Sequence, residues 1–181
     1  MSRLKSFLLV IILAIAAMPV AKAQERNGFA FNGGIGSSVI RDEDGVETFR
    51  GTAFGFSVGV EYRLKSNLAF GFGTFNLGKA NDTIQSVDTE LDVRGLEILA
   101  RYYFPISERS ELFGLIGAAN YYVDIEPGGN NGLFGEDAWE LGGGLDYYTG
   151  DSFSWRIEGR FYNGPRDESA GLLTVGFNYR F

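Results

Sequence analysis

The chain contains no cysteine and no histidine, and only 4 prolines in 181 residues. Without cysteine there is no disulfide framework, no zinc–thiolate site and no thiol nucleophile. Without histidine the commonest general base and the commonest metal ligand are both missing. Basic residues are outnumbered: 16 Lys and Arg stand against 23 Asp and Glu, a net charge of −7. Neutralising nucleic-acid phosphates takes clustered cations, so no nucleic-acid partner is expected. One uninterrupted apolar run stands out, Phe7 to Ala17, and it is too short to cross ~30 Å of hydrocarbon as a helix.

That run sits where an exported protein carries its leader. Arg3 and Lys5 give a basic start, and Ala21-Lys22-Ala23 fits the small-x-small cleavage pattern. Residues 1–23 therefore read as a cleavable signal peptide and 24–181 as one domain. Cleavage would remove Arg3, Lys5 and Lys22 but no acid, leaving a mature chain more acidic than the whole.

What the chain has in abundance is glycine, 26 residues, with 16 Phe and 9 Tyr. Interior glycine costs a helix about 1 kcal/mol relative to alanine, and aromatic residues favour strands. The closing stretch, Ala170 to Phe181, sets the pattern. Leu173, Val175, Phe177, Tyr179 and Phe181 alternate with Thr174, Gly176, Asn178 and Arg180. Period-two alternation marks a strand with one apolar and one polar face. Aromatic rings at the end of such a strand suit the lipid–water boundary.

Eight segments of this kind are expected: 28–39, 51–63, 67–78, 89–104, 111–124, 138–148, 153–163 and 170–181. The second is the cleanest, with Phe54, Phe56, Val58, Val60 and Tyr62 on one face. The fourth changes phase, since Leu91 and Val93 are odd-numbered while Leu96, Ile98, Ala100, Tyr102 and Phe104 are even. A one-residue slip swaps faces, so Gly95 is a candidate β-bulge. The fifth has apolar and small residues on both faces. Links after strands two, four and six are short (64–66, 105–110, 149–152). Those after one, three, five and seven are generally longer (40–50, 79–88, 125–137, 164–169).

Backbone polar groups cannot be left unpaired in lipid, so spanning strands must close into a ring. Alternating short turns and longer loops fit an eight-stranded antiparallel up-and-down transmembrane β-barrel, all-β, with both mature ends on the short-turn side. A soluble barrel with an apolar cavity would turn the alternation inside out. In strands two, six and seven the polar face, mostly Gly, Ser, Ala and Glu/Arg without lysine, suits a narrow interior better than a solvated exterior. Tyr62, Tyr102, Tyr103, Trp155 and Phe181 at one level, with Trp139, Tyr121 and Phe161 at the other, read as two aromatic girdles. The candidate interior charges are Glu61, Arg63, Glu97, Arg101, Glu140, Asp146, Arg156, Glu158, Arg160 and Arg180. Charges withdrawn from water need partners. A three-residue loop at Thr149-Gly150-Asp151 would set Glu140 opposite Arg160. A loop two residues longer would set Asp146 opposite Arg156. Either register makes an ion pair inside the barrel.

Three stretches, Leu96–Pro105, Gly142–Tyr148 running into Phe153–Tyr162, and the closing strand, resemble the small outer-membrane barrels of the OmpA/OmpX type. In that family the last strand carries an assembly signal, which Thr174, Gly176, Tyr179 and Phe181 match position by position. The resemblance implies residence in the outer membrane of a Gram-negative bacterium and recognition by the barrel insertion machinery. It implies surroundings of outer-membrane lipid and lipopolysaccharide, and a monomer. The chain stops at the barrel, so the peptidoglycan-binding domain of full-length OmpA is not expected and a cell-wall tether does not carry over.

Chemistry is sparse. Barrel enzymes of the lipid A deacylase, palmitoyltransferase and omptin types use a histidine that this chain lacks. Glu140 and Glu158 could be an acid/base pair, but an interior ion-pair network accounts for them more simply. Asp42-Glu43-Asp44-Gly45 lacks the spacing and closing Glu of a calcium loop. No cofactor, metal or catalytic residue is expected. The reading is a non-enzymatic integral outer-membrane barrel with a role in envelope integrity or surface contacts. The alternative is a narrow pore or a conduit for small hydrophobic solutes.

Overall fold

A computed structural model describes residues 26–43, 48–65, 67–84, 87–126, 136–164 and 169–181. The signal-peptide reading of 1–23 lies outside these residues. Eight strands follow in order: β1 (Gly28–Glu43), β2 (Thr48–Arg63), β3 (Leu68–Ile84), β4 (Val87–Pro105), β5 (Ser110–Glu126), β6 (Glu136–Tyr148), β7 (Phe153–Asn163) and β8 (Ser169–Arg180). Each pairs antiparallel with its neighbour, and β8 returns to β1, closing the barrel. The closing ladder runs from Ala30↔Arg180 to Arg41↔Ser169. A closed ring leaves no free edge to satisfy in lipid.

Facing follows the pleat. On β4, Ile98 is 61% exposed while its inward neighbours Glu97 and Leu99 are 3% and 6%. The outward set forms an apolar belt: Phe29, Ile35, Phe54, Val60, Phe70, Leu96, Ile116, Leu141, Ile157, Leu173 and Val175 are all exposed. The rings of Trp139 and Phe161 meet at 5.8 Å on one rim. Those of Tyr179 and Phe181 meet edge-on at 5.3 Å on the other. Two residues expected in these girdles are elsewhere. Tyr103 and Tyr121 point inward, 0% and 8% exposed, because each shares the odd-numbered inward phase of its strand.

The phase break expected at Gly95 is not a bulge. β4 pairs β5 without interruption from Glu90↔Glu126 to Pro105↔Glu111, and Leu91 and Val93 point inward. The change in pattern comes from the interior becoming apolar at that height. The bulge lies across the ladder on β3, between Asn76 and Gly78, with Leu77 as the extra residue. Gly78 takes φ 78°, and a Cβ there would stand 2.2 Å from the Phe54 carbonyl oxygen. Glycine is required on both counts. The bulge turns Lys79 outward, where it pairs with Glu90 at 2.5 Å, and Ala80 inward.

The links 40–50 and 79–88, expected as loops, are largely strand. β1 and β2 pair as far as Glu43↔Thr48, and β3 and β4 as far as Ile84↔Val87. At the short-turn end the chain reverses tightly. The Leu64 amide donates to the Leu68 carbonyl at 2.7 Å, and Asn67 takes φ 64°, a conformation asparagine tolerates.

Candidate functional site

The lumen is the first candidate, because side chains from every strand converge there. Its turn-end half is ionic. Arg63 Nη1 donates to Glu111 Oε2 at 2.7 Å, and the Tyr148 hydroxyl donates to the same oxygen at 2.9 Å. Arg26, just before β1, reaches across this mouth. Its Nη1 lies 3.2 Å from Glu111 Oε1 and its guanidinium stacks 3.6 Å over the Tyr148 ring. One layer further in, Arg101 bridges Glu61 and Glu158, each at 2.9 Å. Arg156 grips Asp146 with two bonds of 2.7 Å and donates to the Tyr103 hydroxyl at 2.9 Å. The Tyr103 hydroxyl in turn donates to Glu61 at 2.7 Å. Deepest, Arg160 joins Glu97 and Glu158, with Glu140 3.6 Å away. The bonds are shared along chains of alternating sign, which offsets the desolvation of each charge.

All ten charges read as interior from the sequence are inward and at most 5% exposed. The β6–β7 register is Asp146↔Arg156, with Glu140 opposite Tyr162, so the longer loop is the one formed. Arg180 is inward, but none of its three guanidinium nitrogens has a hydrogen-bond partner among the described residues. Glu111 was not among the sequence candidates. The two apolar-looking faces of β5 concealed its phase, yet Glu111 stands directly opposite Asp146, a position that inward parity with β6 would have marked. Arg26 and Tyr148 were missed too, and Tyr103 reads outward by hydropathy alone, whereas Tyr162 belongs to the inward set of its strand in the sequence and is 5% exposed in the structure.

Glycine makes room for this lattice. A Cβ on Gly73 would lie 2.8 Å from Glu97 Oε1, and one on Gly95 2.8 Å from the Phe75 ring. Gly95 is thus a seat for Phe75. Toward the hairpin end the interior turns apolar: Phe75 stacks on Tyr162 at 4.5 Å. Ile40, Leu77, Leu91, Val93, Tyr121 and Leu172 pack around them.

The second candidate is the rim above the belt. From Lys79↔Asp92 to Ile84↔Val87 the β3–β4 hairpin carries strand a further ~20 Å. Its outward face is acidic. Glu90 lies directly opposite Glu126, and Asp92 opposite Asp124. Only Lys79, on Glu90, and Arg94, 3.2 Å from Asp124, answer these four acids among the ion pairs of the described residues. Asp82, at the same height, accepts from the Arg50 amide at 2.8 Å and the Thr83 amide at 2.8 Å. Those amides hold its carboxyl below the ordinary carboxylate range. No cluster of three or more metal-binding side chains occurs among the described residues. The Asp42–Gly45 segment falls partly outside them.

Of the closing-strand signature, Thr174 and Gly176 face the lumen, and Tyr179 and Phe181 face outward. A Cβ on Gly176 would lie 1.9 Å from the Gly33 carbonyl oxygen, so glycine is also what lets β8 approach β1.

Solved structures share this architecture. Neisserial surface protein A is 14% identical with a TM-score of 0.69, covering 85% of this chain and 97% of its own. OprG from Pseudomonas aeruginosa is 13% identical with a TM-score of 0.61, covering 89% and 99%. Ail, the attachment invasion locus protein of Yersinia pestis, is 17% identical with a TM-score of 0.57, covering 86% and 99%. At such identities the likeness is one of fold. No curated protein matches the sequence significantly. The model of the outer membrane protein beta-barrel domain matches residues 7–181, and this chain, a closed eight-stranded barrel with an apolar belt, belongs to that family.

Proposed function

We propose that this outer-membrane barrel acts through its outer rim, as a structural and surface-contact protein, and not as a conduit. The observation that carries the reading is the filled lumen. Ionic layers occupy one half, and the Phe75–Tyr162 stack with its aliphatic surround occupies the other. An eight-stranded barrel has just enough interior for its own side chains. The rim supplies the contact surface. Like charges directly opposite one another on a sheet are destabilising, so the Glu90–Glu126 and Asp92–Asp124 facet favours a partner that brings positive charge. Ail, similar in fold, is described by its name as an attachment protein, which is compatible with a rim-based role. Ail has also been solved with a heparin analogue. A polyanion of that kind would be repelled by the acidic facet, so a basic partner is the better fit here.

Planar-bilayer recording of the refolded protein tests the proposal. The expected outcome is a silent bilayer. Steady ion currents that scale with the amount of inserted protein would overturn the reading in favour of a pore.

A further inference from the structure

Five of the six buried lumen arginines, Arg26, Arg63, Arg101, Arg156 and Arg160, have a carboxylate within 4 Å. Arg180 does not. It is 5% exposed, and none of its guanidinium nitrogens has a hydrogen-bond partner among the described residues. Its nearest acid by register is Glu61, since both pair with Ala30 from opposite sides. The Glu61 oxygens, however, are taken by Arg101 and Tyr103. Beside Arg180 the same situation repeats. Asn178 lies opposite both Asn32 and Ser154. Asn178, Asn32 and Ser154 are 1%, 5% and 0% exposed. The Asn178 amide nitrogen and oxygen, the Asn32 amide nitrogen and the Ser154 hydroxyl are all unpartnered. These four inward side chains occupy contiguous positions on β7, β8 and β1. The next inward pair, Gly34↔Gly176, adds no side chain to the wall.

Buried donors without acceptors are costly, and an unpaired buried cation is costlier still. Here the donors are grouped on neighbouring inward positions of three adjacent strands: a guanidinium fork, two amide NH₂ groups and a hydroxyl, with a single amide oxygen as unpartnered acceptor. We infer that Arg180, Asn178, Asn32 and Ser154 form a binding site for a small inorganic anion of halide or phosphate class, held in the lumen wall near the turn end. The guanidinium supplies the charge, and the amides and hydroxyl complete the shell. The site is separate from the rim and borders the ionic lattice, where the charge of Arg180 acts on Glu61 and Tyr148, and it holds whichever way the rim's role is decided.

The test uses the refolded barrel in detergent. Melting temperature is measured in sodium bromide, sodium phosphate and sodium gluconate at equal ionic strength, and crystals grown in bromide are scanned for anomalous signal. The expected result is a higher melting temperature in bromide or phosphate than in gluconate, with a bromide peak within hydrogen-bonding distance of Arg180. Phosphate alone raising it would assign an oxyanion site. The rise should vanish in Arg180→Gln and persist in the rim control Arg50→Gln. Should Arg180→Gln not fold, Asn178→Asp serves instead. It places a carboxylate beside Arg180, and is expected to raise the melting temperature in gluconate and abolish the anion dependence. Ordered water alone beside Arg180, or an adventitious ion only (equal peaks on exposed arginines and an unchanged anion effect in the variants), would overturn the inference.

Discussion

Arg156 and Asp146 show how single side chains hold the lumen together. Two bonds of 2.7 Å join them, with both groups at most 4% exposed. Removing one partner strands a buried charge, so Arg156→Met should cost about 3–5 kcal/mol, read as a lower urea midpoint for unfolding from detergent. Adding Asp146→Asn to that variant should restore part of the loss. The pair was legible in the sequence as one of two registers. Only the five-residue reversal, with the Thr149 amide donating to the Phe153 carbonyl at 3.1 Å, decides between them. Glycine positions separate just as sharply. Gly176→Val places a branched side chain where a Cβ would already be 1.9 Å from the Gly33 carbonyl oxygen, and should block closure of β8 on β1. The refolding assay is run without insertion machinery, so that failure reports packing rather than recognition. Gly114→Ala meets nothing within 4 Å and should change stability by no more than about 0.5 kcal/mol.

At the level of the strand, β2, β6 and β7 alternate cleanly enough for their faces to be read directly from the residues. β4 does not, and the reason is physical. Hydropathy reports burial from water, and both the lipid side and the upper lumen are lined by apolar side chains. Leu91 and Val93 therefore look like lipid-facing residues shifted by one, when they share the inward phase of Glu97 and Leu99. Spin labels test this assignment. Labels on cysteines placed at Leu96 and Ile98 should relax strongly with oxygen, as expected of lipid contact. Labels at Leu91 and Val93 should be shielded from both oxygen and an aqueous nickel chelate. High oxygen accessibility at Leu91 and Val93 would reinstate a phase change in β4. The bulge at Leu77 escaped the sequence altogether, since β3 carries Gly71, Gly73 and Gly78 and nothing local singles out the last. Its φ of 78° and the close Phe54 carbonyl do so only once β2 is alongside.

Taken whole, the molecule has eight ladders and no free edge among the described strands, and its lumen charges are buried. Such a barrel should resist dodecyl sulfate until heated. The unboiled protein should run as a compact, fast band on a gel and the boiled protein more slowly, at the mass of its unfolded chain. A single position regardless of boiling would argue against a closed barrel. The same closure couples distant residues. Arg63 on β2 meets Glu111 on β5 across the lumen, a contact between residues 48 apart in the chain.

The sequence alone determined the strand count, the sidedness of most strands, the transmembrane class and the burial of ten charged residues. Each of these follows from a period-two pattern, and that pattern is local. The tertiary structure decided who pairs with whom: the Asp146↔Arg156 register, the recruitment of Glu111 and Arg26, the inward turn of Tyr103 and Tyr121, and the unbonded guanidinium of Arg180. It also decided that β3 and β4 rise as paired strand above the belt. Those outcomes depend on which side chains meet across a closed ring, and no local pattern specifies the opposite wall.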